Sequence, residues 1–223
     1  MPDATGPVWI MAHEQTAAHG RRGRPWANPV GNFAATLLMP VGADPAQAAL
    51  RSFSMAVALR QTLAMTAPAD QLSLKWPNDV LLGGGKVAGI LLEAHGTGPH
   101  LGWLSIGVGV NLVSAPRIDQ VEEGAFRPVA ASEFGKPHSA QDFLFWLASH
   151  FADQERVFEK FGFDPIRRLW MSHAARLDET ITARLPNEDI TGRFDTVDES
   201  GYLVIDTDDG LRKIAAADVY FEG

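Results

Sequence analysis

The chain has no cysteine among its 223 residues. That excludes a disulfide scaffold, a thiol nucleophile and any cysteine-held metal. It has no run of 18 apolar residues, so no membrane-spanning helix is expected. The opening stretch, residues 1–12, lacks both the basic and the long apolar region of a secretory signal, which leaves the cytoplasm as the expected compartment. Basic residues are in the minority, and the net charge is −8. The deficit is concentrated at one end. Residues 176–223 hold 12 acidic and 5 basic side chains, while residues 1–175 are almost balanced. A general nucleic-acid binder needs a basic face to displace counterions from phosphates, so DNA is not an expected partner. What remains is ordinary globular composition, 46% hydrophobic and 21% charged, with enough length for a core without staples.

The pattern along the chain predicts an α+β protein. Strands are expected over 8–16 and 32–40 around a Gly/Arg/Pro-rich loop. Asp44-Pro45 opens a helix that runs through Leu63. Strands over 72–82, 86–94 and 101–113 follow, with turns at Gly83-Gly84-Gly85 and at 96–99. Residues 114–138 show little periodicity and read as a loop with short helical pieces. Ser139 caps an amphipathic helix through Phe161, and Asp164-Pro165 starts a shorter one. Beyond about Ala175 the texture turns to five short strands separated by Asn, Asp and Gly turns, as in a small β-barrel. Two domains are therefore expected, 1–175 and 176–223.

Several segments carry residues suited to chemistry. In His19-Gly20-Arg21-Arg22-Gly23-Arg24-Pro25-Trp26, guanidinium groups can bind phosphate or carboxylate and an indole offers a flat face. An anionic ligand with a planar ring fits this loop, and so does a plain solvated basic loop. In Lys75-Trp76-Pro77-Asn78-Asp79 the apolar flanks predict burial, and buried charge needs a partner. Asn78 and Asp79 there suit a metal or a ribose, and a carboxylate suits Mg²⁺ beside phosphates. Gly85-Lys86 is not a phosphate-binding P-loop, because Val87 stands where Ser or Thr is required and a strand follows. Lys86 is expected as an exposed cation at a strand start, able to neutralise developing charge. The glycines of Gly107-Val108-Gly109 mark either the close approach of a ligand or simple packing. Asn111 follows them and can reach a phosphate. The seven histidines make no zinc pattern, and no serine-hydrolase elbow is present.

The order of these pieces is more specific than any one of them. The loop ending Gly-Arg-Pro-Trp, then Lys-Trp-Pro-Asn-Asp at 75–79, then Lys-Val-Ala-Gly-Ile-Leu-Leu-Glu at 86–93, then Gly-Val-Gly-Val-Asn at 107–111 resembles the biotin–protein ligases over nearly the whole chain. The resemblance implies a biotin/lipoate ligase-like α+β fold, a mixed or antiparallel sheet packed with helices, with a small SH3-like C-terminal barrel. It implies formation of biotinyl-5′-AMP from biotin and MgATP, then transfer to a lysine of a biotin carboxyl carrier domain, and it allows a homodimer. By resemblance Arg21 and Lys86 are catalytic. Gln15, His19, Gly20, Arg21, Lys86 and Gly89 line the biotin site. Arg21, Arg24, Trp26, Lys75, Asn78, Asp79 and Asn111 serve ATP, with Asp79 the candidate Mg²⁺ ligand.

Three departures from the family pattern stand out. Ala18-His19 replaces a usual Gly-Arg. Ala217-Asp218 replaces a usual Gly-Glu in the last strand. The family's opening strand and helix, with a Ser-Thr-Asn motif, is missing; a native start further upstream is expected, the alternative being a version that lacks part of the pocket. A lipoate or octanoyl enzyme of the same fold, and a catalytically dead binding module, are the alternatives left open.

Overall fold

The computed structural model describes residues 5–20, 23–26, 28–42, 44–96, 102–121 and 126–221. Arg21 and Arg22 lie outside the described residues, as does most of the turn expected at 96–99.

Among the described residues, eleven strands and four α-helices make two sheets with helices packed on the larger. Strands β1 (Val8–Met11), β2 (Phe33–Pro40), β3 (Leu72–Lys75), β4 (Asp79–Leu82), β5 (Gly85–His95) and β6 (Trp103–Val110) form a six-stranded sheet. Its order is β1-β2-β6-β5-β4-β3, and every pairing is antiparallel. Strands β7 (Thr180–Arg184), β8 (Asp189–Val197), β9 (Leu203–Thr207), β10 (Gly210–Ile214) and β11 (Asp218–Phe221) form a second antiparallel sheet, ordered β10-β9-β8-β7-β11. The α+β expectation is met. The mixed-sheet alternative is resolved as antiparallel.

Three expected elements differ in extent. The first strand stops at Met11 instead of Thr16, just before the chain enters the basic loop. The first helix divides at Leu50 into α1 (Pro45–Ala49) and α2 (Arg51–Leu63). Asp44 caps α1 as expected, its carboxylate accepting from the Gln47 amide at 2.9 Å. The single strand expected over 72–82 is a hairpin. Pro77 cannot donate to a ladder, and the chain reverses through residues 76–78 so that Lys75 faces Asp79 across the turn.

Helix α3 (Ala140–Phe161) begins at Ser139, whose Oγ accepts from the Asp142 amide at 3.1 Å. Its apolar stripe reaches the sheet through Phe143, which stacks at 5.0 Å on Phe33 of β2. Helix α4 (Phe163–Met171) meets α2 through Phe53, which lies against Phe163 and Trp170. The smaller sheet is tied to the Lys75–Asp79 hairpin: the Trp76 indole donates to the Gly201 carbonyl at 3.0 Å.

Helix α2 is buried on nearly every side, and its one buried cation is paired. Arg51 lies 2.6 Å from the Glu155 carboxylate of α3, with its guanidinium over the Phe158 ring. Burial pushes the Glu155 carboxyl above its ordinary range, with Arg51 opposing that shift. A raised native value means that the folded chain holds this proton more tightly than the unfolded one. The group therefore favours the fold at acid pH and loses that contribution as pH rises through its native value. Arg51→Met removes the charge that opposes this shift. The variant is expected to lose about 3 kcal/mol at neutral pH and less at pH 4, measured by urea denaturation at both. An equal loss at both pH values would contradict this account.

Candidate active site

The hairpin at 76–78 makes the first part of the site. Lys75 and Asp79 are paired residues of β3 and β4, and paired residues share a face. The Lys75 Nζ lies 3.7 Å from Asp79 Oδ2. Both side chains are largely buried, as the apolar flanks require.

A bulge supplies the second part. Along β4 and β5, Val80 opposes Ala88 but Leu81 opposes Lys86, so Val87 is an extra residue. Regular alternation would set Lys86 on the same face as Val80 and Leu82, both fully buried. The bulge turns it to the face of Asp79, where its Nζ lies 2.7 Å from Oδ1. One carboxylate thus holds two ammonium groups, one on each oxygen. Lys86 stands at a strand start as expected, but its side chain is only 31% exposed and is ion-paired.

The segment after β6 closes over this group. The Lys86 amide donates to the Arg127 carbonyl at 2.8 Å, and the Val129 amide donates to the Lys86 carbonyl at 3.0 Å. Phe126 consequently sits over Lys75, with Nζ 4.8 Å from the ring centroid. Asn111 is 2% exposed and donates through Nδ2 to the Val129 carbonyl at 3.1 Å. Its Oδ1 is buried without a hydrogen-bond partner among the described residues.

The basic loop forms the opposite wall. The Gly20 amide donates to the Arg24 carbonyl and the Trp26 amide to the Ala18 carbonyl, which holds residues 18–20 against residues 24–26. Trp26 points inward, its ring centroid 5.7 Å from the Lys86 ammonium. His19 reaches toward Glu93 of β5, at 3.9 Å. Asn78 donates from Nδ2 to the Ile90 carbonyl.

These walls enclose one cavity of about 420 Å³. Gln15, His19, Gly20, Arg24, Trp26, Lys75, Asn78, Asp79, Lys86, Gly89 and Asn111 all line it. Every candidate residue named from sequence is brought there except Arg21, which lies outside the described residues. Among the described residues no group of three or more His, Asp or Glu is arranged to hold a metal. An anionic ligand suits the two lysines, and an aromatic ring suits Trp26.

Sequence reasoning missed several contributors. Phe126 and Pro128 line the cavity from a segment without periodicity. Thr36 enters from the middle of β2, where nothing local marks it. Asp218 of β11 comes from the smaller sheet and takes the Arg24 guanidinium in two bonds, 2.7 Å from Nη2 and 3.4 Å from Nη1. Fork-to-carboxylate geometry makes this pair stronger than an ordinary surface bridge. Asp218→Ala is expected to cost about 1 kcal/mol. Arg24→Ala should cost about the same, and the double variant less than the sum, in denaturant titrations. Full additivity would show that the contact carries no coupling.

Comparison with known proteins gives a consistent answer. The model of the Biotin/lipoate A/B protein ligase family matches residues 3–111, and that of the Biotin protein ligase C terminal domain matches residues 177–222. A biotin–[acetyl-CoA-carboxylase] ligase of Paracoccus denitrificans is 45% identical over all of this chain and 93% of that protein. The bifunctional ligase/repressor BirA of Bacillus subtilis is 29% identical over 94% of this chain, which spans 65% of that protein. In fold, a biotin protein ligase of Aquifex aeolicus in complex with biotin and ATP superposes with a TM-score of 0.77 at 22% identity, covering 96% of this chain and 89% of that one. The chain belongs to the biotin protein ligase family.

Proposed function

We propose that this chain is an ATP-dependent ligase that activates biotin as biotinyl-5′-AMP and passes it to a lysine of a biotin carboxyl carrier domain. The observation that carries the reading is the convergence, in one cavity, of two lysines on a single carboxylate beside an inward-facing tryptophan. The identity to a named biotin–[acetyl-CoA-carboxylase] ligase supports the choice of acid and of carrier.

The first step joins two anions. A carboxylate oxygen of biotin attacks the α-phosphorus of ATP, and the bond to the β-phosphate oxygen breaks with loss of pyrophosphate. Two negative groups meet only where cations screen them, and charge on the α-phosphate oxygens must be held as the bond forms. Lys86 is the group assigned to that spot, and family resemblance gives Arg21 a share in the same role. Lys75 adds a second cation, held in a mostly dry wall by Asp79 and Phe126. Trp26 and Asn111 take the nucleotide. Gln15, His19, Gly20 and Gly89 take the biotin. In the second step the carrier lysine amine attacks the biotinyl carbonyl, an amide forms, and AMP leaves with the electron pair of the broken anhydride bond. The amine must lose its proton before or during attack.

Asp79 fits a Mg²⁺ that arrives with the triphosphate, since such an ion usually takes only one or two protein carboxylates and fills its shell with phosphate oxygens and water. Bound there, it would neutralise phosphate charge. We read residues 1–175 as the unit holding both ligands and 176–223 as a β unit that reaches the cavity mouth through Asp218. No helix among the described residues is long and apolar enough to cross a membrane, and the cytoplasm is the proposed compartment.

Exchange of labelled pyrophosphate into ATP tests the reading. It is expected with biotin and not with lipoate or octanoate, and biotin should then appear on a carrier-domain lysine. Exchange with lipoate alone would overturn the choice of acid. Biotin binding with no exchange would leave a binding module.

A further inference from the structure

Two glycines on the cavity floor have a role that the reaction itself does not explain. Strands β5 and β6 pair with Gly89 opposite Gly109, and opposed residues share a face. Two side chains are therefore missing next to each other, on a face that bounds the cavity. Neither residue has a left-handed backbone, so conformation is not what calls for glycine.

Trp26 is what occupies the space. A Cβ added at Gly109 would lie 2.5 Å from Cε2, 2.6 Å from Nε1 and 2.7 Å from Cζ2 of that ring. Non-bonded carbons rest at about 3.5 Å or more. A Cβ at Gly89 would meet the same ring at 3.4 Å. Gly107, two residues before Gly109 on the same strand, behaves differently. A Cβ there would touch Leu91 and Thr36 at 3.6 to 3.9 Å, which is ordinary contact. The run Gly107-Val108-Gly109 thus contains one glycine that packing requires and one that it does not.

The backbone of Trp26 is held by the bond of its amide to the Ala18 carbonyl, and its indole ring lies near the Lys86 ammonium. A side chain at 109 would push the ring off the sheet and into the space where ligands must fit.

We propose that Gly109 is a positioning residue: paired with Gly89, it forms a side-chain-free seat that sets the Trp26 indole beside Lys86, and it acts on the nucleotide only through that ring. The effect on the nucleotide rests on the function proposed above, whereas the seat itself does not.

The test uses the full chain carrying 5-fluorotryptophan, with the resonance of Trp26 among the six tryptophans assigned by Trp26→Phe. Gly109→Ala is expected to move the Trp26 fluorine signal and leave the others in place, while Gly107→Ala moves none. In pyrophosphate exchange Gly109→Ala should raise the KM for ATP about tenfold, as overpacking displaces the ring. Gly107→Ala should stay within about twofold of the parent. In a Trp26→Ala background, adding Gly109→Ala should change KM by less than about twofold, because the group it displaces is gone. An unmoved Trp26 signal in Gly109→Ala would overturn the seat. A full KM effect persisting without Trp26 would show that Gly109 meets the ligand directly, and would overturn the assigned route. Should the parent chain fail to exchange pyrophosphate with biotin, the proposed function falls, and the fluorine signals still decide the seat. If Gly109→Ala does not fold, the Trp26→Ala/Gly109→Ala double variant is expected to fold. Failure of both would also refute the proposal.

Discussion

Lys86→Ala is expected to slow biotin-dependent pyrophosphate exchange by a factor of about 10² to 10³, the usual cost of deleting one group aimed at developing charge. The fold should survive. Lys86 is partly exposed, and its partner Asp79 keeps Lys75 at 3.7 Å, so no buried carboxylate is left alone. The backbone bonds that dock residues 127–129 on β5 involve the amide and carbonyl of residue 86 and not its side chain. Melting temperature and far-UV spectrum should therefore match the parent while the exchange rate collapses. The loss should fall mainly on the rate at saturating substrate, since charge on the α-phosphate builds as the new bond forms. Near-native exchange by this variant would remove Lys86 from the chemistry. A large drop in melting temperature would instead make it a structural cation.

The same lysine shows where sequence patterning stops. Strand 86–94 is plain from its apolar residues, and the motif Lys-Val-Ala-Gly-Ile-Leu-Leu-Glu marks it as important. Which face Lys86 takes is not written in that pattern. Alternation alone sets it on the face of the core, and only the extra residue Val87 reverses it. A bulge depends on what both strands can bury, so a single strand's pattern does not show it. The hairpin at 76–78 was half legible: Pro77 announces a bend, but the uniform apolar run around it reads as one long strand. The five C-terminal strands were legible because each is bounded by turn residues. Their meeting with the cavity was not. Arg24 and Asp218 stand 194 residues apart, and no local signal joins them. Phe126 lies in an aperiodic segment whose position follows from main-chain bonds to Lys86, so its place above Lys75 is a tertiary outcome.

Asp79→Asn carries the other large effect, and it separates two tasks that one carboxylate can perform. The substitution keeps the shape and removes the charge that faces both ammonium groups. Lys75 is the more exposed to this loss in energetic terms, because its side chain is only 8% accessible and a desolvated cation depends on its partner. Stability is expected to fall by about 2 kcal/mol, less than for outright deletion because the amide oxygen still accepts a hydrogen bond. Exchange should slow by about 10², through a Lys86 no longer held at 2.7 Å. If Asp79 also receives the magnesium of MgATP, the Mg²⁺ concentration giving half the maximal rate should rise about tenfold as well, one ligand's worth of a weakly held ion. Both changes are expected together. A slowed reaction with unchanged Mg²⁺ demand would confine Asp79 to holding the lysines, and the ion would then be carried by the nucleotide alone. Lys75→Met in the same background provides the control for charge balance: by removing the buried cation it should recover part of the stability without recovering the rate, because neutralising the wall does not return Lys86 to its place.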